Sequence, residues 1–149
     1  MDIPPVPNAV SLIVTAALSV KDIRTRRIPG KAVFWFLGTG ILYAVLSGSV
    51  NNIVLSAMPG AFILSAALVT GEKIGCGDGF VIMALGIWIG FRSLITVLAA
   101  GFMLSGLYGL LWYVIGWKKS MYHQRDREIP FVPFLFFGLI VREFFGGVL

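Results

Sequence analysis

The stretch Phe80-Val81-Ile82-Met83-Ala84-Leu85-Gly86-Ile87-Trp88-Ile89-Gly90-Phe91-Arg92-Ser93 decides how many times this chain turns, and the run from Leu94 to Trp117 continues it without another charge. As one helix rising ~1.5 Å per residue, Phe80–Trp117 would far exceed the ~30 Å hydrocarbon core of a bilayer. Two spans joined by a tight turn near Gly90-Phe91-Arg92-Ser93 fit better. Working outward, the other apolar segments are Val6–Val20, Ala32–Ser47, Ile53–Thr70 and Ile129–Val141. With Phe80–Phe91 and Ser93–Trp117 they predict six membrane-crossing helices, an all-α polytopic fold. A span needs about 20 residues. The third and fifth segments meet that length. The first, fourth and sixth are short and must borrow flanking residues, tilt, or thin the bilayer.

Charge placement is the check on the count. Lys21, Arg24, Arg26, Arg27 and Lys31 follow the first segment, Lys73 follows the third, and Lys118, Lys119, Arg125 and Arg127 follow the fifth. Only Arg92 and Arg142 fall on the other side. Cytoplasmic loops carry the excess of Lys and Arg, so six spans put the basic side in the cytoplasm and both termini outside. Five spans would put the Lys118–Arg127 cluster outside, against the same rule.

The composition agrees. Of 149 residues, 58% are hydrophobic and 13% charged, against about 25% charged in an ordinary soluble domain. Mean hydropathy is +0.91. No polar linker separates two units, so residues 1–149 are expected to form a single domain. The net charge of +5 reads as membrane orientation and not as a nucleic-acid footprint. With one cysteine, Cys76, and one histidine, His123, neither a disulfide nor a cysteine-based metal site is expected. No cofactor is called for. Acidic Met1-Asp2 lacks the basic start of a secretory signal. Prolines 4, 5 and 7 are expected to delay the first helix until about Pro7.

Two acids stand at the rims of apolar segments. Asp22 opens Asp22-Ile23-Arg24-Thr25-Arg26-Arg27-Ile28-Pro29, and Asp78 closes Gly75-Cys76-Gly77-Asp78. Six spans bring both to the cytoplasmic face. Each has an ordinary explanation: Asp78, in the flexible turn expected at Gly75-Cys76-Gly77-Asp78-Gly79, as the cap of the fourth helix, and Asp22 as a counter-charge to Arg24 or Arg26. Together they allow another reading. Desolvation and a neighbouring carboxylate both raise a carboxyl pKa, so a close pair shares a proton. The ionised member can then activate water while the protonated member polarises a carbonyl, which is peptide hydrolysis without metal or covalent intermediate.

Asp22 with the Arg-Arg-Ile-Pro that follows, Gly-Cys-Gly-Asp at 75–78, and Ile129-Pro130-Phe131-Val132-Pro133-Phe134, in that order, resemble the type IV prepilin peptidases, membrane aspartyl proteases with a GxGD motif. The resemblance implies that Asp22 and Asp78 are the catalytic pair. Gly75, Gly77, Pro130 and Pro133 would shape the site. The partners it implies are pilin-like precursors, whose short basic leader is cut at the cytoplasmic membrane face, and the lipid bilayer. Gly79-Phe80 and Ile28-Pro29-Gly30 depart from the common family pattern. The bifunctional members' N-terminal region with paired cysteines is absent, so a peptidase without methyltransferase activity is expected. Presenilin-like proteases share GxGD, but their Tyr-Asp and Pro-Ala-Leu signatures are missing here.

Other features carry smaller expectations. Pro130 and Pro133 either break the start of the sixth span, so that backbone groups line the site, or simply begin a helix. Cys76 reads as a small filler and His123 as a solvated loop residue. Gly86 and Gly90 match GxxxG, a packing face. Glu72, Asp126 and Glu128 could meet a basic leader or pair with local Lys and Arg. The rival functions are a small multi-span transporter, which would need ionisable groups in mid-span, and a non-catalytic membrane scaffold, which would need neither aspartate. Oligomeric state is not encoded in any of these features.

Overall fold

The computed structural model describes residues 5–25, 29–48, 52–70, 76–117 and 131–145. They form six α-helices: α1 (Pro5–Thr25), α2 (Gly30–Leu46), α3 (Ile53–Val69), α4 (Cys76–Ile89), α5 (Phe91–Trp117) and α6 (Val132–Phe145). No strand occurs among the described residues. Each helix falls on one of the six apolar segments. The disputed stretch does divide, and more tightly than expected. Gly90 alone separates α4 from α5, with φ +82°, a conformation that suits glycine and little else. Its N–H closes α4 on the Gly86 carbonyl (2.8 Å) and its own carbonyl accepts from Leu94 in α5 (3.0 Å).

Several boundaries differ from the apolar segments. α1 begins at Pro5, not about Pro7. The first turn of a helix has no intrahelical use for its N–H groups, so proline costs nothing there. α1 also continues past its apolar stretch to Thr25, which puts Asp22 in its last turns and not in a loop. α4 begins at Cys76, so Gly77, Asp78 and Gly79 are helical where a turn was expected. α6 starts at Val132, three residues later than its segment, with Pro133 second in the helix.

The helices alternate in direction. Ser56 of α3 faces Gly86 of α4, Gly60 faces Met83, and Leu64 faces Gly79, so α3 and α4 run antiparallel. Gly101 of α5 meets Phe134 of α6 while Val97 meets Gly138, so these two also oppose. Asn8 near the start of α1 bonds Arg142 near the end of α6 (2.9 Å), and Arg142 also reaches Ser93 at the start of α5 (3.1 Å). One end of the bundle therefore gathers the end of α1 and the starts of α4 and α6. The other end gathers the start of α1, the start of α5 and the end of α6.

α4 is the centre. Eight of its residues are buried, from Gly79 to Ile89, so it is covered on all sides, as expected of an apolar helix without a polar face. Ile82, Leu85 and Ile89 join Leu94, Val97, Leu135 and Leu139 in the core. Trp88 stacks between Phe36 and Tyr43 of α2, with ring centroids 5.9 and 5.4 Å away, and donates its indole N–H to the Phe36 carbonyl (3.0 Å). α3 approaches α4 backbone to backbone. A Cβ at Gly60 would collide with Met83, and one at Gly86 with the Ser56 carbonyl. The expected Gly86/Gly90 pair is thus half right: Gly86 packs, while nothing lies within 4 Å of a Cβ at Gly90.

The outer surface is as apolar as the core. Trp35, Phe62, Met103, Leu110 and Trp112 are all exposed. α5, over Phe91–Val114, is long and apolar enough to cross a membrane by length and composition. α2 and α3 are apolar but only 17 residues long, and α4 only 14. The third segment thus reaches only the lower bound of ~17 residues for a span.

Candidate active site

Asp22 lies on a polar stripe of α1. Ser11, Thr15 and Ser19 recur at helical spacing on the same face, and all four residues are buried, with Asp22 6% exposed. Its neighbours Lys21 and Arg24 are exposed. Among the described residues Asp22 makes no ion pair, so the expected counter-charge role finds no partner there. The Asp22 carboxylate instead accepts a hydrogen bond from the Val132 backbone N–H, and its Oδ2 is buried without a partner. An unpaired carboxylate oxygen shut away from water is costly unless something fills the gap or the group takes a proton.

The Val132 bond follows from the start of α6. A first-turn N–H has no partner inside its helix. Phe134 closes a short turn onto the Phe131 carbonyl (3.0 Å), Pro133 has no N–H to place, and Val132 donates to Asp22. The two readings of the proline motif turn out to be compatible: the helix begins there, and a backbone N–H it frees lines the site. The Val132 carbonyl is held as well. Ser19 Oγ lies 3.2 Å from it and 2.7 Å from the Thr15 carbonyl, sharing one proton between them.

Asp78 reaches the same place from α4. It is the third residue of that helix, not its cap, and is half-buried. An acid in the first turn is favoured by the helix dipole. Gly79 beside it is buried against α3, where a Cβ would sit 3.0 Å from the Leu64 backbone nitrogen. Gly77 and Phe80, flanking Asp78, line an apolar recess with Gly30, Val33, Phe34 and Leu37 of α2. The start of α2 therefore belongs to the same end of the bundle.

Both acids lie outside the uncharged apolar stretches 6–20 and 80–91, at the rim. Burial raises the Asp78 pKa and the charge of Asp22 raises it further, to about 6. Burial also raises Asp22, but the Val132 N–H opposes it. The environments thus separate the two. At Asp78 burial and charge act in the same direction, while at Asp22 the Val132 N–H works against burial.

Of the other expected site residues, Gly77 and Pro133 stand one residue from Asp78 and Val132 respectively. Gly75, Pro130, Glu72, His123, Asp126 and Glu128 lie outside the described residues. Cys76 is half-buried at the start of α4. Among the described residues no three His, Cys, Asp or Glu side chains gather as a metal site. Sequence reading missed Ser19 and the Val132 peptide. The regular spacing of Ser11, Thr15, Ser19 and Asp22 was a legible signal for the first. Nothing in a side-chain pattern announces the second.

The sequence pattern of the type IV leader peptidase family matches residues 9–110, a span that holds both Asp22 and Asp78. The chain belongs to that family. Its similarity to curated members extends over most of its length. It is 31% identical over 130 residues to the prepilin leader peptidase/N-methyltransferase of Aeromonas salmonicida (strain A449), covering 82% of this chain and 43% of that protein. The same figures hold for the protein of that name from Aeromonas hydrophila. With the one from Pectobacterium carotovorum subsp. carotovorum it shares 31% over 140 residues, 85% of this chain and 48% of the other. The chain thus spans less than half the length of these leader peptidase relatives. No solved structure matches it.

Proposed function

We propose that this chain is an aspartyl endopeptidase that removes the short basic leader of type IV pilin-like precursors. The observation that supports the reading is that Asp22 and Asp78, from distant parts of the sequence, come to one end of an apolar bundle, close enough for the charge of one to reach the other. Asp22, ionised, takes a proton from water as the water oxygen attacks the scissile carbonyl. Asp78, protonated, gives its proton to the carbonyl oxygen. Collapse of the resulting diol breaks the C–N bond, with the proton held on Asp22 passing to the leaving nitrogen and a hydroxyl proton returning to Asp78. The reading concerns the hydrolytic half of the relatives' name, and residues 1–149 serve it as one peptidase domain.

In this reading the protein crosses the cytoplasmic membrane six times, with the acid pair facing the cytoplasm and both termini outside. The apolar exterior, the alternating helix directions and the basic residues Lys21, Arg24 and Lys31 at the acid end support it. Short α4 lies enclosed by its neighbours, which relieves it of matching the bilayer alone. A transporter is disfavoured because Asp22 and Asp78 are at the rim and, among the described residues, the helix interiors carry no Asp, Glu, Lys, Arg or His. The test is processing of a co-expressed pilin-like precursor. Asp22→Asn and Asp78→Asn should each abolish cleavage at normal membrane levels; cleavage by the double variant would refute the mechanism.

A further inference from the structure

Thr15 departs from the other hydroxyls of the bundle. A serine or threonine in an apolar helix ordinarily donates back to the carbonyl three or four residues earlier. Ser11, Ser19, Thr39 and Thr70 all do so. Thr15 Oγ1 has no hydrogen-bond partner among the protein's own groups, although the residue is wholly buried where α1 packs against α4 and α6. An unpaired hydroxyl in such a place is costly, and a valine of the same shape would avoid the cost. Among the described residues the other buried side-chain oxygen without a partner is Asp22 Oδ2, on the same face of the same helix. Ser19 stands between the two. Its proton is committed to the Thr15 and Val132 carbonyls, so its oxygen keeps lone pairs to offer.

We propose that the seam between α1, α4 and α6 binds two waters, one bridging Thr15 to Ser19 and one bridging Ser19 to Asp22. Side chains three or four residues apart on a helix stand ~5–6 Å from each other at Cβ. That separation suits two hydrogen bonds of ~2.8 Å meeting at one water. Thr15 donates to the first water. This water donates to Ser19 Oγ and to the Ser11 carbonyl, whose second lone pair Thr15 leaves unused. It thus makes three bonds, the usual number for a buried water. The second water donates to the remaining lone pair of Ser19 and to Asp22 Oδ2. Both orphaned oxygens then have partners, and Ser19 serves as acceptor to each water while its own proton stays on the carbonyls. The stripe is closed at its far end, because the Ser11 hydroxyl is spent on the Asn8 carbonyl and the Asn8 side chain on Arg142. Water therefore reaches the seam from the acid end, as an inlet running two helical turns from Asp22 into an apolar bundle. The site needs Thr15 and Ser19 and does not depend on the proposed hydrolysis.

Water-edited solid-state NMR of the full chain in lipid nanodiscs tests it, by timing the transfer of magnetisation from water to individual residues. In the wild type, Thr15 and Ser19 should receive it several-fold faster than Leu18, which is buried on the same helix. Thr15→Val keeps the side-chain shape and removes the first anchor, so the rate at position 15 should fall to that of Leu18 while Ser19 keeps its second water. Ser19→Ala removes the acceptor common to both waters and should silence Thr15 as well. The melting temperature of Thr15→Val should not exceed that of the wild type, whereas a dry, orphaned hydroxyl would make it rise. Transfer to Thr15 in the wild type no faster than to Leu18 overturns the proposal, as does a Thr15→Val variant that melts higher, or a Thr15 signal that survives Ser19→Ala. The first reading is made on the wild type, so a variant that fails to fold does not close the test. A wild type that shows both waters yet cleaves no pilin-like precursor refutes the proposed function and leaves the water site standing.

Discussion

The carboxylate of Asp22, near the end of the first helix, accepts its hydrogen bond from the backbone N–H of Val132, at the beginning of the last. That contact joins two stretches at opposite ends of the sequence. It also explains what the Phe131-Val132-Pro133 stretch contributes chemically. A helix start supplies a donor that no side chain could place with the same rigidity.

The two acids are expected to differ in their pH response. Asp78 is raised to about 6 and is the acid of the proposed mechanism, so kcat/KM of the solubilised enzyme should fall about tenfold per pH unit above that value. In Asp22→Asn the midpoint of Asp78 should drop below about 6 but stay above 3.8, because the neighbouring charge is gone while the burial remains. Carboxyl titration by infrared spectroscopy checks both.

The same shift makes Asp78 a burden on folding at high pH. Its folded-state pKa lies above the unfolded 3.8, so the folded state holds the proton more tightly. The contribution is most favourable below pH 3.8 and is lost as pH rises through about 6. Asp78→Asn should therefore raise the melting temperature at pH 8, by roughly 2–5 °C, and the gain should vanish towards about pH 4. Thermal unfolding in nanodiscs at both pH values measures it.

Gly60→Ala and Gly86→Ala should each destabilise the protein by about 1–3 kcal/mol, because the added methyl meets backbone and neither helix can yield by a rotamer change. Gly90→Ala should also destabilise, by a different route. The space there is open, and the cost is the positive φ. Gly106→Ala, in open space on α5 with ordinary helical backbone, should be neutral or mildly stabilising. Denaturant or thermal unfolding separates the three cases.

Arg142→Ala removes two hydrogen bonds that tie α6 to Asn8 and Ser93 at the end remote from the acids. The expected loss is about 1–3 kcal/mol of stability, with kcat on a precursor unchanged at a temperature where the variant is folded. A changed kcat would mean that this clamp is coupled to the acid pair across the bundle.

The helix count was legible because charge and hydropathy agree: Arg92-Ser93 interrupts an apolar run too long for one span, and Gly90 beside it can turn the chain. That Asp22 and Asp78 would come to one end of the bundle was legible too, since both stand at the rims of otherwise uncharged segments. The boundaries were less so. Gly77–Gly79 looked like a loop because glycine disfavours helix, and tertiary packing against Leu64 overrode that propensity. The proposed division of labour between the acids was not legible at all. It depends on the Val132 N–H, left without an intrahelical acceptor at the start of α6, which no side-chain pattern encodes.

The tight seam between α3 and α4 has one more consequence. Gly60 and Gly86 act as notches that receive the opposing backbone, and Gly79 rests on Leu64. A helix seated in notches can shift only by whole steps, never by a fraction. The level at which Asp78 sits along the bundle axis is therefore indexed by α3, and through it the height at which Asp78 stands beside Asp22.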